Sequence, residues 1–187
     1  MVVSGPSGAG KSTVVQEFVS KTEGTYLSIS ATTRKPRPFE RHGEHYFFVS
    51  ESEFRSMIDK GKLLEYAEYA GNFYGTPIAA VDKMLLEGKD VVLEIDIQGG
   101  LQIKTSRPDV VLTFLTPPTT EELEARLRLR GSESEMTICE RLTIAEREYK
   151  NVSQYDYLVV NDTVEHAVCK LQAILTAESC STRRITP

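Results

Sequence analysis

The sequence predicts an α/β fold of three layers, α/β/α, in which a parallel core sheet carries an inserted mixed α/β piece and a helical arm. Three observations lead to it. Apolar, β-branched runs alternate with helical patterns, a glycine-rich GPSGAGKS joins the first run to the first helix, and the alternation breaks off twice, over about residues 31–76 and 119–150. A length of 187 residues suffices for one domain with its own core. That core is expected from about residues 1–30, 77–118 and 151–178.

Taken in order, MVV is the first strand and KSTVVQEFVSK the first helix. The stretch SISATTRKPRPFERHGEHY, residues 28–46, then gathers Arg34, Lys35, Arg37 and Arg41 on a loop stiffened by Pro36 and Pro38. HYFFV, LLEYAEYAG and NFYGT read as short strands around one helix, which starts at a capping box of Ser50 and Glu53. With no long crossover between them, these strands are expected to pair antiparallel. Pro77 suits the first turn of the next helix, and Gly88 the position past its end. DVVLEID, DVVLTFL and DYLVV are the remaining core strands, and IQGGLQIKTS and TVEHAVCKLQAIL are core helices. TTEELEARLRLR and the helix beyond RGSESEMT form a charged two-helix arm, a candidate lid, and the final STRRITP is expected to fray.

The charge balance, 22 Lys and Arg against 27 Asp and Glu for a net of −5, provides no global field for a polyanion, so no nucleic-acid partner is expected. Any bound anion must be met by a local cluster. Cys139, Cys169 and Cys180 are widely spaced and fit neither a disulfide framework nor a zinc site; they read as reduced thiols. No stretch reaches the roughly 18 apolar residues of a membrane span, and the opening MVVSGPSG has no signal-segment pattern. A cytoplasmic protein without a membrane partner, a monomer or small homo-oligomer, is the expectation. His42, His45 and His166 form no catalytic pattern.

GPSGAGKS comprises Gly5, Pro6, Ser7, Gly8, Ala9, Gly10, Lys11 and Ser12, with Thr13 next, and matches G-x-x-x-x-G-K-[ST] between a strand and a helix. Glycines let backbone N–H groups converge on phosphate oxygens, the following helix offers its positive end, and Lys11 reaches the outer phosphates. Ser12 is the expected Mg²⁺ ligand. The motif points to a nucleoside triphosphate without saying what is done with it.

The cationic loop suits a second, smaller phosphate. Arg34 and Arg37 offer forked, charge-assisted hydrogen bonds, and the phenols of Tyr46 and Tyr74 lie in the same inserted piece. Three carboxylates accompany them: Glu65, Glu94 and Asp96. Asp96 is read as the end of an apolar strand, with Glu94 two residues before it on the same face; one of these acids suits the Mg²⁺ shell and another a base, and the spacing leaves open which.

SGPSGAGKST, SISATTRKPRPFERHGEHYFF, LLEYAEYAGNFYGTP, EIDIQGG, LTPPTTEELEARLRLRG and VVND occur in the order and near the spacing of the guanylate kinase family, which the chain resembles from residue 1 to about 178. The resemblance implies a P-loop core, a nucleotide-monophosphate-binding insert and a lid. It also implies the reaction of ATP with GMP to give ADP and GDP, with Mg²⁺. By the same resemblance Arg34, Arg37, Tyr46 and Tyr74 clamp the GMP phosphate, while Ser30, Glu65, Thr76 and Asp96 read guanine. Guanine presents N1–H and N2–H₂ donors beside an O6 acceptor, which carboxylates and a hydroxyl match. The family's lid arginines fall on Arg126, Arg130 and Arg141, catalytic together with Lys11 and Arg37, and Asn161 falls near the adenine. Phe39 and Thr76 depart from the family's small residue and serine at those positions. The rival reading is a guanylate-kinase-like scaffold module that binds phosphorylated peptides; its usual mark is a damaged P-loop, and GPSGAGKS is complete.

Overall fold

Backbone hydrogen bonding divides the described chain, residues 1–69, 71–129 and 135–182 of the computed structural model, into nine strands and seven α-helices. The first part runs β1 (Val2–Ser4), α1 (Lys11–Lys21), β2 (Thr25–Leu27), β3 (Ala31–Thr32), β4 (Phe47–Phe48), α2 (Glu51–Asp59), β5 (Leu63–Tyr69) and β6 (Asn72–Pro77). The second runs α3 (Ile78–Leu86), β7 (Asp90–Glu94), α4 (Ile97–Ser106), β8 (Leu112–Thr116), α5 (Thr120–Leu129), α6 (Glu135–Tyr149), β9 (Tyr157–Val160) and α7 (Val164–Ser179).

The core sheet has the order β2-β7-β1-β8-β9, with every pair parallel. Because both faces are covered, its strands are continuous apolar runs whose side chains alternate between two cores. Val2, Val91, Leu93 and Leu112 point toward Val81 of α3 and Ile103 of α4. Val3, Val92, Leu115 and Val159 point the other way, toward Val14, Val15 and Phe18 of α1 and Val168 and Leu171 of α7. Each such side chain, fully buried, stabilises the fold by about 1.5–3 kcal/mol before entropy is set against it. The central strand is thus held from both sides, which makes its carboxyl end a rigid place to build a site.

A second sheet, β4-β3-β6-β5, stands beside that end. Its β5–β6 and β3–β6 pairs are antiparallel, but β3 and β4 pair parallel, so the sheet is mixed. The purely antiparallel expectation fails because residues 33–46 form a long crossover without a helix, and that crossover is the arginine-rich loop itself. Two short strands, β2 and β3, also escape a pattern search: β2 is a three-residue edge strand and β3 has only two residues. The capping box forms as expected, Glu53 N donating to Ser50 Oγ (3.2 Å) and Ser50 N to Glu53 Oε2 (2.8 Å). Pro77 closes β6 and caps α3 from outside rather than entering its first turn.

The arm is α5 packed on α6 through Leu123, Leu127, Ile138 and Ala145, all buried. The junction between them, residues 130–134, lies outside the described residues. Among the described residues no helix is long and apolar enough to cross a membrane.

Candidate active site

The chain leaves β1 at the point where strand order reverses, and the Gly5–Ser12 turn opens there. Two glycines are dictated by space as well as by torsion. Gly5 has φ 151° and a Cβ there would lie 2.0 Å from Leu115 O; Gly10, at φ 86°, caps α1, and a Cβ would lie 2.6 Å from Asn161 Nδ2. Lys11 Nζ donates to the carbonyls of Gly5 (2.6 Å) and Pro6 (3.1 Å), folding the ammonium onto the root of its own loop. Thr13 is exposed on the first turn of α1.

Ser12 Oγ donates to Glu94 Oε1 at 2.6 Å, which pairs the P-loop hydroxyl with the last residue of β7. Asp96 has already left the strand: it is the N-cap of α4, and its Oδ1 accepts from Gly99 N at 2.7 Å. The expectation of two acids on one strand face is therefore corrected. Glu94 faces the phosphate loop, whereas Asp96 is turned by its cap toward the second sheet.

There Glu65 waits, buried on β5, with Thr76 Oγ1 donating to its Oε1 at 2.7 Å. A Cβ on Gly99 would come within 2.7 Å of Glu65 Oε2 and 3.3 Å of Asp96 Oδ1, so the two acids converge over a residue with no side chain. Burial pushes the Glu65 carboxyl up to about 7; Asp96 adds to the shift and the Thr76 hydroxyl opposes it. Ser30 is half-buried just ahead of β3, its carbonyl accepting from Phe47 N at 2.9 Å.

The cationic loop is arranged by an acid that sequence reasoning passed over. Glu40 takes both arms of Arg34, NH1 at 2.9 Å and NH2 at 2.8 Å, and also accepts from Arg37 N at 2.7 Å. These bonds, Arg34 foremost, hold its carboxyl down at about 2. The Arg34 guanidinium lies 5.5 Å from the Tyr46 ring centroid, and the Tyr46 and Tyr74 rings stand edge to face at 6.1 Å. Arg34, Tyr46 and Tyr74 are thus one cluster, with Arg37 exposed at its rim. Burial raises the Tyr46 phenol, and the charge of Glu94 adds to it. Glu40 was legible in principle, being the acid nearest the arginine run.

The arm closes the other side. Arg126 NH2 donates to Asn161 O (3.0 Å) and its NH1 to Ala9 O (3.5 Å), while Asn161 Nδ2 donates to Ala9 O (2.8 Å). Arg141 NH1 donates to Ser7 Oγ at 3.0 Å. Two of the three expected lid arginines therefore reach the P-loop across more than a hundred residues of chain; Arg130 lies outside the described residues. Glu148, also on α6, is half-buried with its Oε2 enclosed and within electrostatic reach of Lys11 and Asp96, and no local motif marks it.

Comparison with known proteins finds the guanylate kinase family model matching residues 1–178. The guanylate kinase of Desulfitobacterium hafniense (strain Y51) is 51% identical over 184 residues, spanning 98% of this chain and 92% of the relative. That of Shouchella clausii (strain KSM-K16) is 48% identical over 185 residues, spanning 99% and 90%. The crystal structure of guanylate kinase from Anaplasma phagocytophilum superposes with a TM-score of 0.79 at 34% identity, over 98% of this chain and 87% of that one. Shikimate kinase from Bacteroides thetaiotaomicron, at TM-score 0.52 and 17% identity over 94% of this chain and 96% of that one, shares the fold alone.

Proposed function

The chain belongs to the guanylate kinase family, the phosphotransferases that convert ATP and GMP to ADP and GDP, and on that premise we propose how its residues divide the work. The observation that carries the reading is the meeting of two built sites at the carboxyl end of the core sheet. On one side are Lys11 and the Ser12–Glu94 pair; on the other, the Arg34, Tyr46 and Tyr74 cluster with the converging acids Glu65 and Asp96.

ATP binds with its phosphates on Gly5–Thr13 and its adenine toward Asn161. GMP binds in the piece formed by residues 31–76, its phosphate on Arg34, Arg37, Tyr46 and Tyr74. Glu65 and Asp96 accept from guanine N1–H and N2–H₂; adenine offers no such pair of donors and would leave two acids unsatisfied. Ser30 lines the same pocket, and Thr76, whose hydroxyl hydrogen is engaged by Glu65, orients that acid. The arm over residues 119–150 is the lid, with Arg126, Arg130 and Arg141 stabilising charge on the group in flight.

Ser12 Oγ and the Glu94 carboxylate are hard oxygen donors in contact, a pair that suits Mg²⁺ with phosphate oxygens and water completing its shell. Bound there, the ion would neutralise charge on the phosphates. The acceptor needs no general base: a phosphate monoester has its second pKa near about 6 and is largely a dianion at neutral pH. The protein's task is to bring two polyanions into line and cancel their repulsion, which Lys11 and the arginines do by position and charge. Three exposed free thiols, Cys139, Cys169 and Cys180, accord with a reducing compartment such as the cytoplasm. Nothing favours the phosphopeptide-binding alternative.

The test is ADP formation with Mg-ATP and each of GMP, AMP, CMP and UMP. Turnover selective for GMP is expected; turnover equal for AMP and GMP would refute the base pocket.

A smaller effect is expected at the clamp. Glu40→Gln loses the charge that fixes Arg34 and leaves the Arg37 N–H facing an amide, so KM for GMP should rise about tenfold with KM for ATP unchanged. Steady-state kinetics varying each substrate in turn reads this. A lower KM for GMP would mean instead that Glu40 competes with the acceptor's phosphate for Arg34.

A further inference from the structure

One half-buried acid beside the reaction centre has no part in the scheme above. Glu148 is the penultimate residue of α6, and its Oε2 is buried without a hydrogen-bond partner. A buried carboxylate oxygen with nothing to accept from is costly, and a position that keeps one calls for a reason beyond stability.

The geometry supplies that reason. Seven residues separate Arg141 from Glu148, about two helical turns, so both lie on the same face of α6. Arg141 reaches the front of the P-loop at Ser7 Oγ, 3.0 Å away. The end of the helix that carries Glu148 is fixed to the core by the Tyr149 Oη–Thr116 Oγ1 hydrogen bond, 2.7 Å, and by the Tyr149 ring against Phe114 at 5.8 Å. Glu148 is therefore carried on a pinned helix end. Three groups on other elements act on it electrostatically: Lys11 at the start of α1, Asp96 at the cap of α4, and Tyr155 ahead of β9. Lys11 is the one cation among them. Burial pushes the Glu148 carboxyl up to about 7, opposed by Lys11 and assisted by Asp96.

We propose that Glu148 is a positioning residue for phosphoryl transfer, its carboxylate acting from α6 as the counter-charge that aims the Lys11 ammonium. Lys11 is held at the loop's root by the Gly5 and Pro6 carbonyls, which fix where the ammonium sits without supplying net charge. Glu148 supplies that charge from the end of α6 that Tyr149 holds against the core. The role rests on the reading of Gly5–Ser12 as the donor's phosphate site.

The test is a double-mutant cycle of Glu148→Gln with Lys11→Met in the full chain, read as kcat, both KM values and Tm. Glu148→Gln should lower kcat about tenfold while both KM values stay within about twofold, because the interaction matters most as charge builds in the transition state. Its Tm at pH 8 should not fall, since a neutral amide removes a buried charge. Once Lys11 is replaced, Glu148→Gln should cost nothing further. Glu148→Met, of similar size and without polar atoms, should give the same split if the amide disturbs folding. Wild-type kcat in both variants, losses that add in full to that of Lys11→Met, or a fall in kcat matched by a fall in Tm would each overturn the assignment. Full turnover in Lys11→Met alone would overturn the phosphate-site reading and the assignment with it, whereas a dead Lys11→Met beside an unimpaired Glu148→Gln overturns only the role of Glu148.

Discussion

Lys11→Met leaves the fold standing and lowers kcat about a thousandfold, the scale of removing one preorganised group that meets charge developing in the transition state. The two consequences separate because Lys11 does two unequal things. In the ligand-free protein its ammonium bonds the Gly5 and Pro6 carbonyls at 2.6 and 3.1 Å. Lys11 lies at the surface opening of the loop, where water can replace those bonds, so the loss to stability is about 1 kcal/mol. Methionine keeps most of the methylene stem and the packing of the first turn of α1. In the reaction no water molecule replaces a fixed positive charge at the outer phosphates. Steady-state kinetics beside a thermal melt checks the pair of outcomes: Tm within a few degrees, turnover nearly gone. A variant within tenfold of wild-type kcat would remove Lys11 from the chemistry.

The second large effect is at Glu65, where function and stability are expected to move in opposite directions. Glu65→Gln should reduce kcat/KM for GMP by about ten- to a hundredfold, because the amide points donor hydrogens at guanine's own donors. The same change should stabilise the ligand-free protein at pH 8. Glu65 is 5% exposed, and burial lifts its carboxyl from 4.5 to about 7. Between those values the folded state holds a proton that the unfolded chain has released, so wild-type stability falls as pH rises through the window. Above it the fold carries a buried charge. One unit is worth about 1.4 kcal/mol, so that charge costs on the order of 3 kcal/mol, and Gln removes it. Melts at pH 5 and pH 8 should show little difference at the first and a higher Tm for the variant at the second. The wild type should also bind guanine more tightly as pH rises through about 7, a dependence Gln abolishes. Guanosine is the probe for that titration, since it has no phosphate to titrate nearby. A variant melting below wild type at pH 8 would mean Glu65 is ionised and stabilising in the free protein.

How far the sequence carried each of these assignments depends on the distance over which the relevant contact is made. GPSGAGKS was legible because its physics is contiguous: the glycine torsions, the helix start and Lys11 lie within eight consecutive residues. The core strands were legible for a similar reason, since burial on both faces writes an unbroken apolar run. β2 was not, because three half-buried residues at a sheet edge carry too little pattern. Asp96 was read as a strand end because EID continues the apolar alternation. The backbone leaves the sheet after Glu94, and the hydrogen bond from Gly99 N makes Asp96 a helix cap instead. Glu40 was overlooked beside its arginines because the run was counted as charge, and only side-chain geometry shows an acid holding both arms of Arg34.

Composition, periodicity and a few contiguous motifs were thus enough for the α/β class, the phosphate loop and, by resemblance, the family, all of which the comparisons bear out. Pairings between distant positions needed the folded chain: Ser12 with Glu94 across 82 residues, Arg126 with Ala9 across 117, and Arg141 with Ser7 across 134. Such contacts follow from strand order and helix docking, which emerge from many weak burial terms summed over the whole core, and no short window of sequence contains that sum. Glu148 is the plainest case. In the sequence it is one acid among many on a charged helix; folded, it is a half-buried acid with an enclosed, unpartnered Oε2 whose charge is felt by the lysine of the P-loop.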